Sequence, residues 1–271
     1  MTAYSKTAFK GLYGASSGSF NNTLAATITG STLQTFSNDL ADSALFVDSF
    51  QNTDQNYFEQ QDYIQAPTAA VGWAIFTSGA GAGAASIGAY GIDATERAQG
   101  VIYSETGTTA AGIAIVYRGG IKFGLGQAFR LRKRIAVETL GNVGENYTVY
   151  FGFGDILSAG TDQNNGAYFR YNYNVNSGKV EAVTASGGVR TATDTGVTMD
   201  TTYHVYEIRV NSTGTSVDFY IDGANLKTNT TNIPTASFVY NLHTISKSAG
   251  TTTRKLDEDY YDFTMNLAST R

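Results

Sequence analysis

The chain has 271 residues, a formal net charge of −5, no cysteine, two prolines and 30 glycines. The lack of cysteine excludes disulfides, thiolate metal sites and a cysteine nucleophile, and the acidic balance argues against a nucleic-acid footprint. Tyrosine (18) and phenylalanine (15) far outnumber tryptophan (1), and with plentiful Thr, Val and Gly they favour strands and tight turns. The length suits one large all-β domain, or one domain with a small appendage.

Residues 1–28 are polar and rich in Gly and Ser, with scattered Tyr4, Phe9, Leu12, Tyr13 and Phe20. They read either as an extended arm that orders by docking or as a disordered tail. No apolar core of a signal peptide is seen there, so the chain is expected to be made in a cytoplasm. No apolar run approaches the ~20 residues that span a bilayer, so no membrane insertion is expected.

Residues 29–46 predict the one helix. Ser31 and Gln34 fit a capping box. Leu33, Phe36, Leu40 and Ala44 form one apolar stripe, with Asp39 and Asp42 opposite. A lone striped helix must pack on a neighbour, either its own β-domain or another subunit.

From Leu45 onward the pattern is β. Short strands are predicted at 45–50, 56–67 and 71–76, the last carrying Trp73. The Gly/Ala-rich stretch 78–91, SGAGAGAASIGAYG, reads as a loop with close backbone approaches. Strands follow at 100–107 and 112–117. In 129–140, Phe129, Leu131, Ile135 and Val137 point inward, with Lys133 interrupting; Arg130, Arg132, Arg134 and Glu138 point outward. The meander continues through 147–154, 166–174 and 179–184, separated by Asn/Gly turns.

Residues 202–223 give the strongest hairpin signal. Tyr206, Ile208 and Val210 alternate with Val205, Glu207 and Arg209, and Val217, Phe219 and Ile221 alternate with Asp218, Tyr220 and Asp222. Strands at 238–246 and 256–267 close the chain, the latter with Tyr261, Phe263, Met265 and Leu267 on one face. Many short strands and one helix predict two antiparallel sheets packed face to face.

The run TYHVYEIRVNSTGTSVDFYIDGANLKTNTTNIPT, followed by SAGTTTRKLDEDYYDF, resembles the last strands of a concanavalin A-like (LamG-like) lectin/glucanase jelly roll. GVIYSETGTTAAGIAIVYRG and YTVYFGFGD resemble the variant of this jelly roll found in structural proteins of tailed bacteriophages. LAATITGSTLQTFSNDLADSALFVDSF resembles the attachment segment that precedes such domains. The resemblance covers about residues 45–271 and rests on the order of the elements. It implies an arm, helix and attachment or oligomerisation segment at 1–44 and a jelly-roll sandwich at 45–271. It also implies a virion component: a head fibre, capsid decoration or tail-associated protein, homo-oligomeric and often trimeric. Such a protein contacts capsid or tail subunits and faces outward, where it decorates the particle or touches host-surface glycans.

The same superfamily contains glycosidases whose strand carries Glu-x-Asp-x-x-Glu or a one-residue-shorter form. That pattern is absent, so no catalytic residue and no enzyme activity are expected. The acidic run Asp257-Glu258-Asp259 reads as a solvated strand face, with half of a Ca²⁺ site as the alternative; no cofactor is assigned. Gly14-Ala-Ser16-Ser-Gly18 matches G-x-S-x-G without the strand and helix that the motif needs. Gly79, Gly81 and Gly83 lack the βαβ context of a dinucleotide loop. His204 and His243 read as ordinary strand positions.

Two surface features remain as candidate contacts. The Arg130, Arg132 and Arg134 ladder reads first as cross-strand charge pairing with residues such as Glu207, and second as a contact with an acidic neighbouring subunit or an anionic glycan. Tyr168, Tyr171, Tyr173 and Tyr220 read first as sheet packing, and second as outward aromatics that stack on sugar rings.

Overall fold

The computed structural model describes residues 56–61, 72–87, 100–118 and 123–266. The arm, the helix with Leu33, Phe36, Leu40 and Ala44, the strand at 45–50 and the G-x-S-x-G match all lie outside the described residues. Within them the regular structure is strand, apart from one 3-10 turn at Asn176–Gly178. The order is β1 (Asn56–Gln61), β2 (Trp73–Ser78), β3 (Gly83–Ile87), β4 (Ile102–Glu105), β5 (Ile113–Arg118), β6 (Phe123–Gly124), β7 (Phe129–Val137) and β8 (Tyr147–Gly154). It continues with β9 (Gly166–Asn172), β10 (Lys179–Ser186), β11 (Val189–Thr198), β12 (His204–Val210), β13 (Val217–Ile221), β14 (Ala224–Asn229), β15 (Phe238–Lys247) and β16 (Lys255–Asn266).

Two antiparallel sheets form a jelly-roll sandwich. The first runs β14-β13-β12-β7-β16-β4-β3, with β1 also paired to β16. The second runs β11-β10-β9-β8-β15-β5-β2, with β6 also beside β15. The late strands β15 and β16 each sit mid-sheet between strands from much earlier in the chain, so neither sheet closes until the C-terminal segment is in place.

Period-two alternation explains the core. Leu131, Ile208, Phe219 and Phe263 project from the first sheet, and Val149, Phe151, Phe169 and Val180 from the second. Aromatic rings interlock across the gap: Tyr206 lies 4.7 Å from Phe151 and 5.1 Å from Phe169, and Phe169 lies 5.2 Å from Phe219. Each fully buried Phe contributes about 1.5–3 kcal/mol of transfer free energy.

The β12–β13 hairpin forms as its pattern predicts, closed by Asn211, whose Oδ1 accepts from the Thr215 amide at 2.8 Å. The next turn is built by Asp222 (φ 50°) and Gly223 (φ 82°), the left-handed pair that a two-residue hairpin requires.

Three strands depart from the sequence expectation. Of the segment 78–91, residues 79–81 turn and Gly83–Ile87 pairs with β4 as the edge strand β3, while 88–91 lie outside the described residues. The expected close approach is present, since a Cβ on Gly107 would lie 2.2 Å from the Gly81 carbonyl carbon. The other two, β11 and β14, carry almost no apolar alternation because they are edges joined by polar side chains. Buried Asn229 on β14 donates to the carbonyls of Ala182 (3.2 Å) and Thr191 (3.3 Å) and accepts from the Thr193 hydroxyl (2.8 Å). One side chain thereby ties the edge of the first sheet to that of the second.

Candidate functional site

The outward face of β7 carries the arginine ladder. Arg130 Nε bonds Glu207 Oε1 at 2.7 Å, Arg132 Nη2 reaches Asp262 Oδ2 at 2.5 Å, and Arg134 pairs with Asp259. Arg209 also pairs with Glu207, and its guanidinium lies 4.1 Å from the Tyr220 ring centre. Arg134 covers Tyr203 in the same way at 4.4 Å. The Arg130 and Arg132 side chains are 37% and 36% exposed, against 6% for both Glu207 and Asp262, so guanidinium groups roof over the carboxylates. Burial opposes ionisation of Glu207, yet hydrogen bonds from Arg209 and Arg130 hold it below the ordinary glutamate value. This is the paired ladder that alternation predicts, with Glu207 as a partner.

The four candidate tyrosines do not form one surface. Tyr171 points into the core, 5.6 Å from Tyr147, and its hydroxyl accepts from the Gly141 amide at 3.1 Å. Tyr168 lies on the opposite face of β9 but is buried, with its hydroxyl donating to Asp162 at 2.9 Å. Arg190 holds the Asp162 segment in place by donating to the carbonyls of Asp162 and Gln163, both at 3.0 Å. The reading of Tyr168 and Tyr171 as outward stacking platforms is therefore corrected. Tyr173 is 39% exposed beyond β9, and Tyr220 is partly exposed on β13 of the other sheet beneath Arg209.

The acidic run is also corrected. Glu258 has no exposed surface and Asp257 is buried. A bulge between Glu258 and Tyr260 re-phases β16, so that Glu258 and Tyr261 both face the core although three residues apart. Glu258 receives Lys133 Nζ at 3.0 and 3.2 Å. Its Oε2 also accepts from His243 Nδ1 at 2.5 Å, and His243 Nε2 lies 2.9 Å from Ser104 Oγ. Lys133 and Glu258 side chains are 2% and 0% exposed. Burial pushes the Lys133 ammonium below its ordinary value against the pull of Glu258. Burial, aided by the Lys133 charge, likewise lowers His243, again opposed by Glu258.

A second polar string adjoins this relay. Tyr261, whose ring centre is 5.7 Å from Lys133 Nζ, donates its hydroxyl to Glu59 at 2.5 Å, and Arg118 bonds Glu59 at 2.7 Å. Trp73 packs edge-on to Tyr261 at 5.6 Å. Burial and the Glu59 charge push the Tyr261 phenol upward.

Ser104, His243 and Glu258 thus stand in the order of nucleophile, base and orienting carboxylate. Ser104, His243 and Glu258 have no exposed surface. No reactant reaches this serine in the closed sandwich. Sequence reading marked Lys133 as an interruption of an apolar row but did not supply its partner, Glu258, which lies 125 positions further along the chain.

No metal-holding group of three or more His, Asp or Glu residues occurs among the described residues. His204 sits at the start of β12 between two carboxylates, with Nδ1 2.6 Å from Asp222 and Nε2 3.1 Å from Asp200. Partial burial opposes its protonation, but hydrogen bonds to Asp222 and Asp200 raise it above the ordinary histidine value.

The family model described as "SO2946-like, C-terminal domain" matches residues 97–259. The crystal structure of a protein of unknown function, SO2946 from Shewanella oneidensis MR-1, superposes with a TM-score of 0.57 at 14% identity, covering 90% of this chain and 97% of that one. The carbohydrate recognition domain of Emp47p superposes with a TM-score of 0.51 at 9% identity, covering 79% of this chain and 96% of that one. A beta-1,3-glucanase from Mycobacterium marinum gives a TM-score of 0.49 at 11% identity, over 76% of this chain and 97% of that one. No curated protein matches the sequence. At these identities the likeness is one of fold alone, a two-sheet antiparallel jelly-roll sandwich of the concanavalin A-like type.

Proposed function

The chain belongs to the SO2946-like C-terminal domain family, and we propose that it is a non-enzymatic display protein of a bacteriophage particle, carried by residues 1–44 and presenting the sandwich outward. In this reading it is a head fibre, capsid decoration or tail-associated protein. It is a homo-oligomer, with a trimer favoured, in contact with capsid or tail subunits. The virion placement rests on the sequence resemblance. The non-enzymatic part is supported by one observation: the buried and half-buried carboxylates of the first sheet are committed to structural partners. Glu258 holds Lys133 and His243, Glu59 holds Arg118 and Tyr261, and Glu207 and Asp262 hold the arginine ladder. A glycosidase needs one of its pair proton-loaded and facing substrate.

Mass spectrometry of purified particles with labelled electron microscopy tests the placement. The subunit is expected on the particle surface, and a chain found only free in host extract sinks the reading. The alternative is a receptor-recognition protein for host surface glycans. It is favoured by the fold likeness to the Emp47p carbohydrate recognition domain and by the exposed Tyr173. A glycan array decides it: binding above background that weakens in Tyr173→Ala supports the alternative, and a blank array removes it.

A further inference from the structure

The buried relay joins the two sheets. Lys133, Glu258 and Ser104 stand on β7, β16 and β4 of the first sheet, and His243 stands on β15 of the second. Within its own sheet His243 is flanked by Val116 on β5 and Phe151 on β8, both apolar. Among the described residues the charged groups facing it are Glu258 and Lys133. Tyr261 lies over Lys133, and Glu59 and Arg118 follow beyond Tyr261.

The protonation pattern follows from the partners. Glu258 is an acceptor, so His243 Nδ1 carries the proton between them, and a neutral Nε2 accepts from the Ser104 hydroxyl. With Lys133 charged and Glu258 ionised, the relay then carries no net charge. A second proton on His243 changes both facts. It leaves one uncompensated positive charge on fully buried groups, and it turns Nε2 into a donor, so that Ser104 must turn its own proton away from the imidazole.

We propose that the Ser104–His243–Glu258–Lys133 relay is an acid-operated lock between the two sheets, closed while the imidazole is neutral and released when it takes a second proton. The direction of the His243 shift agrees: burial lowers it first, Glu258 opposes, and Lys133 adds to the lowering. An unfolded histidine takes its proton at about pH 6.5, and the folded one only at lower pH. The unfolded state therefore binds more protons below about pH 6.5. The contribution of His243 is complete above that pH and is lost as pH falls, at up to about tenfold in the unfolding constant per pH unit.

The chain has two histidines, so imidazole NMR of the intact protein gives two curves to follow, and loss of one signal in His204→Gln assigns them. His204 is expected to titrate above the ordinary value while His243 keeps its neutral Nδ1–H signature down to the onset of acid unfolding. Urea unfolding at pH 7.5, 6.0 and 5.0 supplies the second readout, with the wild type weakening about tenfold per unit more steeply than His243→Gln. A His243 that titrates at or above pH 6.5 with the fold intact overturns the proposal. So does an equal acid slope in the two proteins. If His243→Gln fails to fold, the wild-type titration decides alone.

Discussion

Lys133→Met tests the core of the structural argument. Methionine approximates the length of lysine without its charge, so little packing volume is lost. What is lost is the cation held 3.0 and 3.2 Å from the two Glu258 oxygens, on side chains 2% and 0% exposed. Glu258 then keeps the His243 Nδ1–H bond but loses its cation, for a charge it cannot expose. Removing one member of a buried pair costs about 3–5 kcal/mol, against a total stability of about 5–15 kcal/mol for a typical protein. For a domain of this size that is a loss of roughly 6–20 °C in Tm. Trp73 is the only tryptophan, is 3% exposed, and packs against Tyr261, so its fluorescence reports urea unfolding of this region. The double variant Lys133→Met/Glu258→Gln removes both charges and is expected to be more stable than Lys133→Met alone, with a coupling of about 0.5–3 kcal/mol. A further consequence distinguishes charge from packing. Lys133 is one of the causes that lower His243, so its removal lets His243 take a proton more readily and serve as the counter-ion to Glu258. The penalty of Lys133→Met therefore shrinks as pH falls from 8 to 6. A single-variant cost below about 1 kcal/mol, well under the range for a broken buried pair, or a double variant that costs the sum of the singles, refutes the reasoning.

Much of this architecture is legible in the sequence because apolar alternation reports which face is buried. The β12–β13 hairpin, the inward row of β7 and the outward arginines follow directly from it. Strands β11 and β14 are invisible to the same reading, since their burial rests on Asn229 and threonine hydroxyls. The relay was hidden for a different reason. Counting back by twos from Tyr261 places Asp259 and Asp257 inward and Glu258 outward, and only the bulge at 258–260 reverses that. One signal was available: Lys133 in an otherwise apolar row demands a buried anion, and an acidic run on another strand is where to seek it. Tyr168 shows a further limit. Alternation places it on the outward face of β9, but it is the fold of the 155–165 segment that buries it there.

Two further outcomes are expected. Deleting residues 1–44 leaves the Trp73 emission and the urea midpoint close to those of the full chain, because every described core residue lies between Trp73 and Phe263, while attachment to the particle is lost; an unfolded product moves the boundary into the sandwich. Arg132→Ala is the counterpart of Lys133→Met, one step along the same strand. Arg132 pairs with Asp262 at 2.5 Å, a shorter contact than any Lys133 makes, yet its side chain is 36% exposed and water replaces it when it is removed. The expected cost is about 1 kcal/mol or less, and it falls further in 0.5 M salt, whereas the Lys133→Met cost does not. Circular dichroism melts of both variants at low and high salt compare them. If Arg132→Ala costs as much as Lys133→Met, then ion-pair distance rather than desolvation governs the ladder, and the distinction drawn between the two faces of β7 fails.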